Sequence, residues 1–293
     1  MPKIAVLGSS GFLGAAITRI FLERDYEVVA LSRTQSEETR LQEFKADLFN
    51  EDSLKSVLTH TTPDIVISTA WDTEHGKFWT SELNAAYRDA TLRFAELSFE
   101  SGVETFVGLG TMSEYGISPG ICNAEISQLV ASDVYSKSKI ETGMGLKRLG
   151  ERYGKQTHWV RVFQAFGPYE KPERFVPGLI SSLTNKGKFS IRTPNYEMDW
   201  IHTTDIASAI AYTLENGLHH FVDIGTGIGT SVKKLSEIIC EEFELDQSLL
   251  DFSGQIGGHE KKIVVNQNSQ LLSHGWKPDE SLRKRIRSLR YTS

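Results

Sequence analysis

Lys3-Ile4-Ala5-Val6-Leu7-Gly8-Ser9-Ser10-Gly11-Phe12-Leu13-Gly14 is the stretch whose reading decides the fold. Its first five residues form a short apolar run, the pattern of a strand buried on both faces. A helical pattern follows the last glycine and continues through Arg24. Between them stand Gly8, Gly11 and Gly14, three residues apart. Glycines so placed allow a tight turn, close approach of the backbone to a diphosphate, and close packing of helix on sheet. The free N–H groups at the helix start then face the phosphate charge. The spacing is G-x-x-G-x-x-G rather than G-x-G-x-x-G, so a plain glycine turn is the alternative. Strand before and helix after favour a dinucleotide site, with Ser10, Phe12 and Leu13 in the same turn.

The second strand, Glu27–Leu31, ends at Ser32-Arg33. An NAD site places a carboxylate there to accept from the ribose 2′-hydroxyl. A small hydroxyl followed by a guanidinium suits a 2′-phosphate instead, so NADP(H) is expected over NAD(H). A solvated arginine is the bland alternative. Ala46-Asp47-Leu48 ends the next short strand, and Asp64–Ala70 is the fourth. In a doubly wound sheet the carboxyl ends of both line the cofactor crevice. From Trp71 to Ser81 the chain is aromatic and irregular where a substrate belongs, making Trp71 and His75 substrate candidates; packing over the sheet explains that loop equally well. Helical spacing returns over Asn84–Ser101, and Val103–Gly110 reads as the fifth strand.

Val134-Tyr135-Ser136-Lys137-Ser138-Lys139 places a tyrosine and a lysine four apart, on one face of a helix. Such pairs also sit on solvated helices. An ammonium beside a phenol favours the phenolate, so the Tyr135 pKa is expected to fall from about 10 towards neutrality. That is a general acid able to give a proton to a carbonyl oxygen as hydride reaches its carbon.

Composition bounds the class. The 293 residues bury a large core, as one domain or one domain with a smaller lobe, and 39% hydrophobic with 24% charged residues is ordinary for a globular enzyme. A net charge of −6 gives no reason to expect nucleic acid or an anionic membrane as partner. Cys122 and Cys240 lack metal-ligand spacing and are too few for a disulfide framework, so no metal is expected. The chain runs from Met-Pro-Lys directly into a strand, and no apolar run approaches membrane length; the expected location is the cytoplasm.

Thr111 four residues before Tyr115-Gly116, followed by Tyr135 and Lys139, resembles the extended short-chain dehydrogenase/reductases of the nucleotide-sugar-modifying branch. Gly8, Gly11 and Gly14 match that family's fingerprint, and Asp47-Leu48 its adenine-contacting pair. The likeness continues through Arg161–Pro168, with Gln164 where asparagine is usual, and through Met198–Asp205, Phe221–Gly229 and Gly275–Pro278. It departs where Met198 replaces a phosphate-binding arginine and where His259-Glu260-Lys261-Lys262 stands for a late arginine motif. Arg174 and Arg192, in the segment after strand six, are then the candidate cations for a diphosphate, with a solvated role equally open.

The resemblance implies an α/β, Rossmann-like, doubly wound parallel sheet of seven strands with a smaller C-terminal substrate-binding lobe. The cofactor domain would span 1–165 plus about 199–225, the lobe about 166–198 plus 226–293. It implies Thr111, Tyr135 and Lys139 as catalytic residues, with Lys139 also reaching the nicotinamide ribose. Met112-Ser113 stands where the family's dehydratases carry Asp-Glu, and Ser113 where its decarboxylases carry glutamate. Dehydration and decarboxylation are therefore disfavoured. The favoured expectation is an NADPH-dependent reductase of a nucleotide-activated keto-deoxy sugar, a 4-keto-6-deoxyhexose reduced at C4. The alternative is an NAD-retaining nucleotide-sugar epimerase; a non-catalytic NADP-binding regulator is a third reading, weakened by the retained Thr111, Tyr135 and Lys139. A homodimer through the helices Asn84–Ser101 and Tyr135–Tyr153 is expected, with Leu92, Ala95, Leu146 and Leu149 facing either the partner or the sheet.

Overall fold

A computed structural model describes residues 2–33, 41–253, 262–267 and 269–291. His259, Glu260 and Lys261 of the late basic segment lie outside the described residues. In chain order the strands are β1 (Lys3–Leu7), β2 (Glu27–Ser32), β3 (Gln42–Lys45), β4 (Ile65–Ser68), β5 (Thr105–Thr111), β6 (Gly120–Cys122), β7 (Gln156–Val162), β8 (Gln164–Phe166), β9 (Phe189–Ser190), β10 (Glu197–His202), β11 (Phe221–Ile224), β12 (Gly229–Ser231), β13 (Leu250–Asp251) and β14 (Ile263–Asn266). The helices are α1 (Phe12–Glu23), α2 (Glu51–Thr61), α3 (Leu83–Glu100), α4 (Val134–Tyr153), α5 (Phe175–Thr184), α6 (Thr203–Glu215), α7 (Val232–Phe243), α8 (Ser269–Ser273) and α9 (Leu282–Ser288).

Seven parallel strands make the large sheet in the order β11-β7-β5-β4-β1-β2-β3. Period-two alternation sends Ile4 and Val6 into one core with Ile17, Phe21, Ile206 and Ile210 of α1 and α6. Ala5 and Leu7 enter the opposite core with Leu54, Phe94 and Leu146 of α2, α3 and α4. Both faces are thus covered, which is why these strands read as continuous apolar runs. Order reverses between β1 and β4, so their carboxyl ends open onto a crevice that no crossover closes.

A smaller sheet, β12-β10-β14-β6 with β8 beside β10, underlies a third core of α5, α7 and α9. Of the stretch 199–225, α6 and β11 join the layers of the large sheet and β10 the smaller one. Asp199 in β10, fully buried, accepts from Thr226 N–H at 2.7 Å, Thr226 Oγ1 at 2.6 Å and Gly227 N–H at 2.9 Å. That carboxylate pins the turn between β11 and β12. Met198 packs against the third core, an apolar use of the position where the family resemblance led one to look for an arginine. No helix among the described residues is long and apolar enough to cross a membrane.

Several boundaries differ from the sequence expectation. β3 stops at Lys45, because the Asp47 carboxylate accepts from Phe49 N–H at 2.9 Å and turns the chain there. β4 stops at Ser68 and β5 continues through Thr111. Ala95 and Leu146, weighed as interface residues, are fully buried against the sheet, whereas Leu92 and Leu149 are partly buried.

Candidate active site

The turn after β1 has the shape that its glycines require. Gly8 sits at φ +85°, and a Cβ there would fall 2.4 Å from Thr69 Oγ1. A Cβ on Gly14 would lie 2.0 Å from Gly8 O, so this residue lets α1 approach the turn. Gly11 N–H donates to Gly8 O at 2.9 Å and closes the loop. Gly11 caps α1 without a side-chain bond, and the first turn holds no acidic residue. The helix therefore offers unpaired N–H groups and the positive end of its dipole, the chemistry that holds a diphosphate. These residues fit a dinucleotide.

A cleft of about 650 Å³ opens from this turn across the carboxyl ends of the large sheet. Gly8, Ser10, Gly11, Phe12 and Leu13 line one end, with Ser32, Arg33, Asp47 and Leu48 beside them. Ala70 and Trp71 follow at the end of β4, and Thr111, Tyr135, Lys139, Gln164 and Arg174 line the other side. Gly14 lies beneath the turn rather than in the cleft. Two expected substrate residues are not brought in: His75 is exposed in its loop and Arg192 is exposed after β9, and neither lines the cleft. Their assignment rested on neighbourhood in the chain, which a loop and a two-residue strand do not convert into neighbourhood in space.

Tyr135 and Lys139 come from the first turns of α4. Asp133 caps this helix by accepting from Ser136 N–H at 2.7 Å, and Ser136 Oγ accepts from Asp133 N–H at 3.2 Å. Both side chains are buried, at 7% and 5% exposure, so their environment and not solvent sets their charge. Around the Tyr135 ring stand Phe78 at 4.8 Å, Trp79 at 5.6 Å and Trp71 at 6.3 Å, all edge-on. Asn84, missed in the sequence, fixes this aromatic wall. It accepts from Trp71 Nε1 at 2.9 Å and donates to Phe78 O at 2.7 Å and Ser81 O at 2.8 Å. An asparagine one residue inside a helix following a long loop is a signal for such a role.

Lys139 Nζ donates to Leu109 O at 2.8 Å and lies 3.7 Å above the Trp71 ring. Burial pulls its pKa down to about 7, with Glu114 pulling it partly back. For Tyr135 the expectation needs correction. Burial pushes the phenol up rather than down, and the Thr111 hydroxyl opposes this only in part. Inside an aromatic wall the loss of water outweighs the neighbouring cation.

Beneath Thr111 lies a buried polar network. Thr111 N–H donates to Glu114 Oε1 at 2.9 Å. Glu114 also accepts from Arg161 Nε at 2.7 Å and from Trp159 Nε1 at 3.0 Å. Tyr115 donates to Asp223 Oδ2 at 2.6 Å and accepts from Arg161 Nη1 at 3.3 Å. Burial pushes the Asp223 carboxyl up to about 6, against the pull of Arg161. The network joins β5, β7 and β11 under Thr111. The Trp159 ring fills the space left by Gly108, Gly110 and Gly143, where added Cβ atoms would fall 2.5–2.7 Å from it.

The family model described as the NAD dependent epimerase/dehydratase family matches residues 4–225. A UDP-glucose 4-epimerase of Rhizobium meliloti (strain 1021) is 23% identical, over 96% of this chain and 93% of that protein. The dTDP-6-deoxy-L-talose 4-dehydrogenase (NAD(P)(+)) of Kitasatospora kifunensis is 24% identical, over 98% of this chain and 94% of that protein. The solved structure of the UDP-N-acetylglucosamine 4-epimerase from Methanobrevibacter ruminantium M1, in complex with UDP-N-acetylmuramic acid, superposes with a TM-score of 0.86. It is 21% identical and covers 98% of this chain and 96% of that one.

Proposed function

Since the chain belongs to the NAD-dependent epimerase/dehydratase family, we propose that it is an NADPH-dependent reductase of a nucleotide-activated 4-keto-6-deoxyhexose, acting at C4. The observation that carries this reading is one cleft lined by Thr111, Tyr135 and Lys139 together with the glycine turn and Ser32-Arg33. Arg33 supplies a planar donor for a 2′-phosphate where an NAD enzyme would present a carboxylate. The Kitasatospora relative, a deoxysugar 4-dehydrogenase by name, supports the same chemistry.

The residues divide the work. When bound, the nicotinamide cofactor supplies hydride. Thr111 and Tyr135 hydrogen-bond the substrate carbonyl oxygen and stabilise the charge that develops on it. A raised pKa keeps the proton on Tyr135 until that charge appears, and Tyr135 then gives it up. Lys139 in its ammonium form steadies the phenolate left behind. Trp71, Phe78 and Trp79 exclude water from this exchange. We read 1–165 with about 199–225 as the cofactor-binding part, and about 166–198 with 226–293 as the lobe that holds the sugar nucleotide, Arg174 contributing charge. A homodimer through the outer faces of α3 and α4, with Leu92 and Leu149 at the contact, belongs to the same reading.

The second reading is an NAD-retaining nucleotide-sugar epimerase, favoured by the names of the Rhizobium and Methanobrevibacter proteins. One experiment separates the two. Purified protein is given dTDP- or UDP-4-keto-6-deoxyglucose with NADPH, and absorbance of the reduced nicotinamide is followed. Stoichiometric NADPH loss supports the reductase. Interconversion of UDP-glucose and UDP-galactose without added reductant supports the epimerase and ends the reductase reading.

A further inference from the structure

Glu170 lies in the turn that leaves β8, a turn shaped by Tyr169 at φ +64°. It lines the same cleft as Tyr135 and Lys139, with Lys171 and Arg174 close by in the chain. Its Oε2 is buried and has no hydrogen-bond partner among the described residues. Burial pushes its carboxyl up to about 7, while Arg174 and the Gly167 N–H pull it partly back. Buried polar atoms are paired in nearly all folded proteins, because an unpaired one forfeits its hydration without return. A carboxyl oxygen left unpaired inside a binding cleft is one whose partner arrives with the ligand.

The chemistry of the partner follows from what surrounds it. A diphosphate carries only acceptors and negative charge, so it pairs with Lys171 or Arg174 and is repelled by a carboxylate. Arg174 lies 5.7 Å from the Phe78 ring, which stands edge-on to Tyr135, so the Glu170 turn borders the wall around the reacting group. The part of a nucleotide sugar that brings donors to this wall is the hexose. We propose that Glu170 is a specificity residue whose buried Oε2 accepts a hydrogen bond from a hydroxyl of the bound hexose. The substrate class is then a nucleotide sugar that keeps a hydroxyl at the carbon facing Glu170, and this rests on the nucleotide-sugar reading above. A site built around such a bond discriminates strongly against a ligand that leaves it unmade.

The test is calorimetric binding to NADPH-saturated protein, with UDP-glucose and dTDP-glucose compared with UDP and dTDP alone. Glu170→Ala should weaken the nucleotide sugar about ten- to a hundredfold. Its affinities for NADPH and for the nucleoside diphosphate should stay within about twofold of the parent. Glu170→Gln, nearly isosteric, should lose about three- to tenfold on the sugar alone, and it carries the test if the alanine variant fails to fold. Undiminished sugar binding by both variants overturns the inference, as does equal weakening of sugar and diphosphate ligands. A parent protein that binds neither nucleotide sugar overturns the proposed function, and this inference falls with it.

Discussion

Tyr135→Phe removes one hydroxyl from a ring held on three sides by aromatic neighbours, so the fold and NADPH affinity should survive. The rate on the keto-sugar nucleotide should fall by about 10²–10⁴-fold in a nicotinamide absorbance assay. Thr111→Val should cost less, since Tyr135 remains to bond the oxygen. Arg33→Ala should abolish most of a preference for NADPH over NADH, a difference on the order of 1.5–3 kcal/mol by calorimetry. Equal affinities in the parent would defeat that claim. Glu170 gives a pH prediction whose sign is fixed by the direction of its shift. The folded state holds this proton up to about pH 7, whereas the unfolded chain releases it near 4.3. Stability drawn from it is present below about pH 4 and is lost as pH rises to about 7. Glu170→Gln should therefore raise the melting temperature relative to the parent by a few degrees at pH 8 and by little at pH 4.5. At this scale the sequence was legible where spacing encodes geometry, as in Tyr135 with Lys139 and in the three glycines. It was illegible where solvent exclusion decides, because no spacing told that burial would outweigh the cation at Tyr135 or leave Glu170 Oε2 without a partner.

The elements that build the site differ in how openly the chain announces them. β1, the turn after it and α1 are written in a single local stretch, and the structure reproduces β1 residue for residue. α4 was expected over Tyr135–Tyr153 from the spacing of its tyrosine and lysine, and it spans Val134–Tyr153, capped by Asp133 with Ser136 and ended by Gly154 in the left-handed region. The loop 71–81 was legible only as something aromatic, because its shape depends on Asn84 and on Trp79 O accepting from Tyr135 N–H at 3.2 Å. The network under Thr111 was invisible for a similar reason: Glu114, Arg161 and Asp223 are far apart in the chain and meet only through β-sheet register. Glu114→Gln leaves Arg161 with the Asp223 carboxylate at 3.7 Å as its buried counter-charge, so it should destabilise by about 1–3 kcal/mol in urea unfolding. A variant as stable as the parent would remove the network from any structural role.

For the whole molecule, the order β11-β7-β5-β4-β1-β2-β3 explains why residues spread from 8 to 174 share one cleft. Parallel strands deliver every loop after a carboxyl end to the same edge, and reversal beside β1 leaves the gap. The resemblance to the family implied this architecture, and the apolar runs and helical spacings placed its first five strands. The extent of the smaller sheet was not legible, since β6, β8, β12 and β14 are short pieces gathered from distant parts of the chain. The outer faces of α3 and α4 bear Arg88 paired with Glu141 at 2.5 Å, which joins the two helices. If these helices form a dimer interface, light scattering at micromolar concentration should give twice the chain mass of 32.8 kDa, and Leu92→Glu with Leu149→Glu should give the single mass. A monomeric parent would refute it.

The indole of Trp159, lodged where Gly108, Gly110 and Gly143 leave room, restricts the mutational routes open to this chain. Any one of the three glycines that gains a methyl group meets the ring, so each such step is closed while the ring stays. A descendant can leave this arrangement only by shrinking position 159 first, and that step abandons a buried bond to Glu114 and opens a void beside β5. Four positions scattered over some fifty residues thus drift as one locus.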